Sequence, residues 1–228
     1  MFHELERRYK QITNADEPVF IFCVTMQNHG GYNYTGSDFD TSITLEGFQS
    51  DYPEAEQYLS LIHETDCAIK ELIEFYQKVD REVVVVFFGD HLPGLSMSFY
   101  QEIHGGEFRT LDEDMLRYKV PFFIWANYDI AEEDVSCTSI NYLTALMFNS
   151  CGMKVSHFQQ FLLNTIDSVP AINSRGYYSI EANSFIAKEK KDLNMTLNEE
   201  KQALLNYAIL QYNNMFEKNE KNSFFFDH

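Results

Sequence analysis

Glu82-Val83-Val84-Val85-Val86-Phe87-Phe88-Gly89-Asp90-His91-Leu92-Pro93-Gly94 is the stretch from which the fold is read. Val83 to Phe88 form an unbroken apolar run of β-branched and aromatic residues, the pattern of a short strand buried on both faces. Gly89 ends the run, and Pro93-Gly94 turn the chain away. Asp90 and His91 therefore fall where the strand leaves its sheet. In open α/β sheets, ligands bind at the carboxyl ends of strands. An adjacent carboxylate and imidazole offer one hard oxygen and one nitrogen there, a donor pair suited to a divalent metal. A strand followed by a polar turn is the plainer reading, and spacing alone does not separate the two.

Working outward, Val19 to Met26 is a second continuous apolar run and a second candidate central strand. His29 emerges just past it, beside Gly30-Gly31, a pair that lets the backbone pass close to a ligand. A plain loop histidine is the alternative. Residues 33–52 are polar and rich in Gly, Ser, Thr and Asp, which reads as a surface loop. Pro53 opens a helix whose Ala55, Tyr58, Leu59, Ile62, Ile69, Leu72, Ile73 and Tyr76 form an amphipathic stripe. Asp66 interrupts that stripe and is expected to make a structural hydrogen bond. A helix between two buried strands is the β-α-β crossover of a parallel sheet.

Further along, residues 95–118 read as a loop with some helical character, with His104 in a surface turn. Val120 to Ala126 is a third apolar run, with Pro121 marking a strand start or an edge strand. Helices are expected over 3–12, 139–150 and 158–166, and a short strand pair around Gly176. Thr196 and Glu199 have capping-box spacing at the start of a last helix that ends near Phe216.

The 228 residues suffice for one sizeable domain or a piece of a larger one, and 45% hydrophobic content can build a core. The formal charge is −18, from 17 Lys+Arg against 35 Asp+Glu. That balance argues against a nucleic-acid partner, which needs a basic face, and against an anionic membrane surface. An acidic protein that handles phosphate or sulfate esters needs a local cation, which a bound metal supplies. Cys23, Cys67, Cys137 and Cys151 contain no C-x-x-C pair. Cys23 and Cys67 are expected as buried free thiols, with one disulfide left open. No leader-like apolar segment follows Met1, and no run approaches the ~18 residues of a membrane span, so the chain reads as soluble.

Several segments in order carry a resemblance: Phe22 to Gly30, the helix bearing Asp66, Val85 to Pro93, Pro121 to Asp129, and a late helix with Ala208 to Tyr212. Together they resemble the C-terminal part of the extracellular catalytic domain of lipoteichoic acid synthases and related phosphoglycerol transferases, in the sulfatase/alkaline phosphatase superfamily. The likeness covers about residues 18–217. It implies an α/β fold, here a partial doubly wound, largely parallel sheet flanked by helices. It implies a divalent metal, Mn²⁺ or Mg²⁺ ahead of Zn²⁺ or Ca²⁺, with Asp90 and His91 matching the metal-ligand pair. His29 matches the histidine that contacts the phosphoryl group or helps the leaving group depart. The implied substrate is a phosphoglycerol-bearing lipid or another phosphate or sulfate ester.

The family's hydroxyl nucleophile and a further acidic ligand lie in the N-terminal half of its domain. Segment 1–17 is a polar lead-in without a counterpart, and Thr25 and Thr138 are poorly placed to serve. The expectation is therefore a fragment: a boundary over 1–17, the C-terminal part of a sulfatase-like domain over 18–217, and a tail over 218–228. The missing N-terminal part would complete half an active site in a bacterial, membrane-anchored parent whose domain is extracellular. Two alternatives stay open: a non-catalytic module that binds an anionic glycan or a protein, and a complete small metallohydrolase using His29, Asp90, His91 and His104.

Overall fold

The structure, a computed structural model, describes residues 2–12, 17–188, 198–217 and 221–226. Chain contacts divide it into two units, one of residues 1–83 and 89–108, the other of 84–88 and 109–228.

The first unit is built on one long helix. Helix α1 spans Phe2–Ile12 and helix α2 spans Pro53–Tyr76. Proline at the first helical position starts α2 with its missing N–H where no intrahelical partner is needed. Tyr9 of α1 meets Phe75 and Tyr76 of α2 edge-on, at centroid distances of 5.8 and 5.3 Å. Only part of the expected stripe is buried: Ala55, Leu72 and Tyr76 are, and so are the polar Gln57, Ser60 and Thr65. Asp66 is exposed.

Strand β1 covers Val84–Phe88. It pairs antiparallel with β2, Phe122–Ala126, in a two-stranded sheet of the second unit. Phe87 and Phe123 lie opposite in register and stack at 5.5 Å. Every residue of both strands is half-buried, not buried on both faces.

The α/β class holds, but the described sheets are antiparallel. Residues 19–26, expected to be the parallel neighbour, form no strand; they are exposed, with Phe20 at 87%. Cys23 lies in this run and is exposed, as is Cys67, against the expectation of two buried thiols. None of the four cysteines is joined in a disulfide. An apolar run specifies what its side chains need, but not which strand will bond its edges.

Between the two strands lie α3, Met97–His104, in the first unit, and α4, Leu111–Met115, in the second. Thr110 and Glu113 form a full capping box on α4. In the second unit, α5 (Ile140–Ser150) and α6 (His157–Ile166) sandwich the core. Tyr142, Ala145, Leu146 and Leu162 form its centre, with Ile124, Phe161 and Tyr207 packed around. The buried Tyr142 hydroxyl donates to Val169 O at 2.9 Å, and burial raises its pKa. Gly152 ends α5 at φ +67, a left-handed conformation that glycine adopts without strain.

The expected strand pair around Gly176 is a three-stranded antiparallel meander: β3 (Ala171–Ile172), β4 (Gly176–Ser179) and β5 (Ser184–Ala187). Helix α7, Glu199–Phe216, packs its buried Glu200 on this meander. Ser179 Oγ donates to the Glu200 carboxylate at 2.7 Å, and Glu181 N donates to it at 3.1 Å. Thr196 of the expected capping box lies outside the described residues. The α7 cap is Asn198, whose Oδ1 accepts from Lys201 N at 3.0 Å. The tail helix α8, Ser223–Phe226, stacks Phe224 on His157 at 3.9 Å.

A side chain has no room at Gly176: its Cβ would stand 2.0 Å from Ile186 O. Gly176→Ala is expected to lower stability by about 1–3 kcal/mol through forced separation of β4 and β5. Urea denaturation of the two proteins checks this, and an unchanged midpoint would contradict it.

Candidate functional site

Asp90 and His91 follow β1 by two and three residues, and the bend there belongs to the first unit. The turn is held from within. His91 N donates to Asp90 Oδ1 at 2.9 Å, and Leu95 N donates to Pro93 O at 2.9 Å. Tyr100 of α3 donates its hydroxyl to the same Pro93 oxygen at 2.5 Å. Ser96 caps α3 by accepting from Phe99 N at 3.3 Å. Pro93 fixes the backbone, and α3 fixes Pro93.

The pair is oriented like a ligand pair. His91 Nδ1 lies 2.8 Å from Leu92 O. A carbonyl only accepts, so Nδ1 carries a proton, and in the neutral ring Nε2 then keeps its lone pair. Metal-binding histidines are held this way, donating the other ring N–H to a carbonyl or carboxylate. Nε2 faces Asp90 Oδ2 at 3.5 Å. Two donors about 2.0–2.2 Å from one small cation stand roughly 3–3.5 Å apart, so this spacing fits a shared ion. Both side chains are open to solvent, at 81% for Asp90 and 70% for His91.

His29 sits in the same unit, on a turn closed by His29 N donating to Met26 O at 3.2 Å. Its ring is exposed. Asn28 and Tyr32 on either side are tied down: Asn28 Nδ2 donates to Thr65 Oγ1 at 2.9 Å, and the Tyr32 hydroxyl donates to Asn28 O at 2.8 Å. Gly31 takes φ +98, a conformation that glycine adopts without strain.

The three residues do not close into a metal cage. Among the described residues, no group of three or more His, Cys, Asp or Glu is placed to hold an ion. Asp90 and His91 are together; His29 does not join them as a third ligand. His104 stacks on Phe108 at 4.5 Å and is no part of such a group either.

The loop expected over 33–52 is attached to α2 by side chains that the sequence reading passed over. Gln57 Oε1 accepts from Tyr34 N at 2.9 Å, and its Nε2 donates to Tyr34 O at 2.8 Å. Ser60 Oγ accepts from Ser42 N and Ile43 N, both at 3.0 Å. Glu56 Oε1 accepts from Leu45 N at 2.8 Å. The available signal was polar residues within the buried half of α2, where an amphipathic helix should carry apolar ones.

Residues 4–153, a span that holds His29, Asp90 and His91, match the Sulfatase family model. The chain belongs to the sulfatase family. It is similar to a Rhizobium meliloti (strain 1021) protein described as "Putative cyclic beta-1,2-glucan modification protein", at 27% identity over 95% of this chain and 34% of that protein. The capsular polysaccharide biosynthesis protein RkpI of the same organism is 32% identical over 78 residues, which is 34% of this chain and 12% of RkpI. In fold, the chain matches the Streptococcus pyogenes phosphoglycerol transferase GacH, solved in complex with sn-glycerol-1-phosphate. The TM-score is 0.64 at 23% identity, over 92% of this chain and 47% of that one. This sulfatase-family chain thus spans about a third of the glucan-modification relative and about half of the solved transferase.

The His91 tautomer is open to measurement. Long-range ¹H–¹⁵N spectra of the neutral ring are expected to show Nδ1 protonated and Nε2 bare. A dominant Nε2–H form would remove the ligand orientation described above.

Proposed function

We propose that this chain supplies part of the active site of a metal-dependent phosphoglycerol transferase, or of a sulfatase-like hydrolase acting on phosphate or sulfate esters. The observation that carries the reading is the Asp90 Oδ2–His91 Nε2 pair, 3.5 Å apart just beyond β1, in a sulfatase-family chain. Asp90 and His91 would hold one divalent ion, Mn²⁺ or Mg²⁺ ahead of Zn²⁺ or Ca²⁺. Such an ion supplies positive charge that offsets the negative phosphoryl oxygens. Two donors are fewer than the three that catalytic sites usually take from protein. In this reading the remaining ligands and the hydroxyl nucleophile come from a part of the parent protein outside these residues.

Residues of this chain would act on the substrate directly as well. His29 is exposed and fixed at its backbone, so its imidazole can donate a hydrogen bond or a proton to the phosphoryl group or the departing oxygen. The donor substrate would be a phosphoglycerol-bearing lipid, in line with the glycerol phosphate bound by GacH. The acceptor would be a polysaccharide, as the names of the two Rhizobium relatives suggest. The parent would be membrane-anchored with this part outside the cell; no described helix here is long and apolar enough to cross a membrane.

One observation favours a second reading. With only two donors placed together among the described residues, the chain also suits a non-catalytic module that binds an anionic glycan or a protein.

The two readings separate in the full-length parent assayed for phosphodiester turnover with Mn²⁺. The enzyme reading expects Asp90→Ala and His91→Ala each to abolish turnover and to weaken Mn²⁺ binding. It expects His29→Ala to lower kcat by about 10²–10⁴-fold, the usual share of an acid–base group, with Mn²⁺ binding retained. Turnover that survives both Asp90→Ala and His91→Ala would take this turn out of the chemistry. An inert wild-type parent would favour the binding module. The 228-residue chain alone is expected to bind Mn²⁺ weakly and to show no turnover.

A further inference from the structure

We propose that Thr65 and Tyr32 are positioning residues that clamp the peptide before His29 and so aim its imidazole; this rests on the role given to His29 above. Both polar groups of that peptide are bonded. Its carbonyl, Asn28 O, accepts from the Tyr32 hydroxyl at 2.8 Å, and its N–H, that of His29, donates to Met26 O at 3.2 Å. With the plane held at both ends, the direction of the His29 side chain from the backbone is held too.

The clamp has a rigid base. Thr65 is buried on α2, and its hydroxyl stands 3.0 Å from Leu61 O, one turn back, and 3.1 Å from Asn28 Oδ1, two acceptors that share its one proton. Its oxygen also accepts, and Asn28 Nδ2 donates to it at 2.9 Å. The Asn28 amide is thereby fixed to the middle of a 24-residue helix. Tyr32 is buried, and its ring meets Tyr58 of α2 edge-on at 5.3 Å. Burial raises the Tyr32 pKa, which keeps its hydroxyl a donor. His29 itself needs no contact with α2. Its neighbours are bolted there, and the ring is left free for substrate.

This arrangement makes the hydroxyl of Thr65 a determinant of kcat at a position with no substrate contact. A displacement of about 1 Å in a reacting group can cost 10²-fold in rate. The test uses the full-length parent and a phosphoglycerol-lipid assay. Thr65→Val, which keeps the shape and removes the acceptor, is expected to lower kcat about 10–100-fold with KM within about twofold. Thr65→Ser restores most of the rate. In a His29→Ala background, Thr65→Val has no further effect, because the residue acts through His29. Tyr32→Phe, which keeps the ring on Tyr58, is expected to behave in the same way, and it carries the test if Thr65→Val fails to fold. A loss that is as large without His29 as with it overturns the clamp, as does failure of Thr65→Ser to rescue. Wild-type turnover by His29→Ala alone instead overturns the role given to His29, a separate result.

Discussion

The polar side of α2 is the constraint on which the first unit depends. A loop that packs against a helix brings backbone N–H and C=O groups out of water, and each must find a partner or cost roughly 1–3 kcal/mol. Here Glu56, Gln57 and Ser60 meet that demand for the segment from Tyr34 to Leu45, and Thr65 holds the side-chain amide of Asn28. Gln57 pairs with both groups of Tyr34, as a β-strand neighbour would. Ser60 is well suited to its place because a small hydroxyl lets two successive amides approach it. An all-apolar α2 would pack a core better and leave this loop without anchors.

The candidate site inherits its order from such local ties. Asp90 and His91 are solvent-open, and open side chains ordinarily sample several rotamers. Here the His91 ring is held by Leu92 O and the Asp90 carboxylate by the His91 amide, so each is restrained by its own neighbourhood in the chain. Pro93 and α3 restrain the turn as a whole. His29 is ordered differently, through the peptide that precedes it, with its ring left exposed. A donor pair wants fixed heads, and a group that must reach substrate wants a fixed base and a free head.

Much of this could be read from the sequence. Pro53 and the apolar stripe gave α2, the Val/Phe run gave β1, and the adjacency of Asp90 and His91 needs no folding to be seen. The likeness of ordered segments pointed to the sulfatase superfamily, and the family match agrees. The ties of Thr65, Ser60 and Gln57 were not read, since in a helix they look like interruptions of a pattern. Asp66 interrupts the stripe as a carboxylate, yet it is exposed. The hydroxyl beside it makes the contact that matters.

By itself, then, the sequence determined where α1, α2, α5 and α6 lie, where β1 lies, and which two donors stand side by side. Those features are set within a few residues, by i to i+4 hydrogen bonds, caps, prolines and chain adjacency. Only the tertiary structure decided that β1 pairs antiparallel with β2, that Val19 to Met26 is exposed and forms no strand, and that Cys23 and Cys67 are exposed. It alone brought Asn28 to Thr65, 37 positions apart. Strand pairing and side-chain-to-loop bonds join residues distant along the chain, and a local pattern of apolar and polar positions records the need for a partner without saying which one meets it.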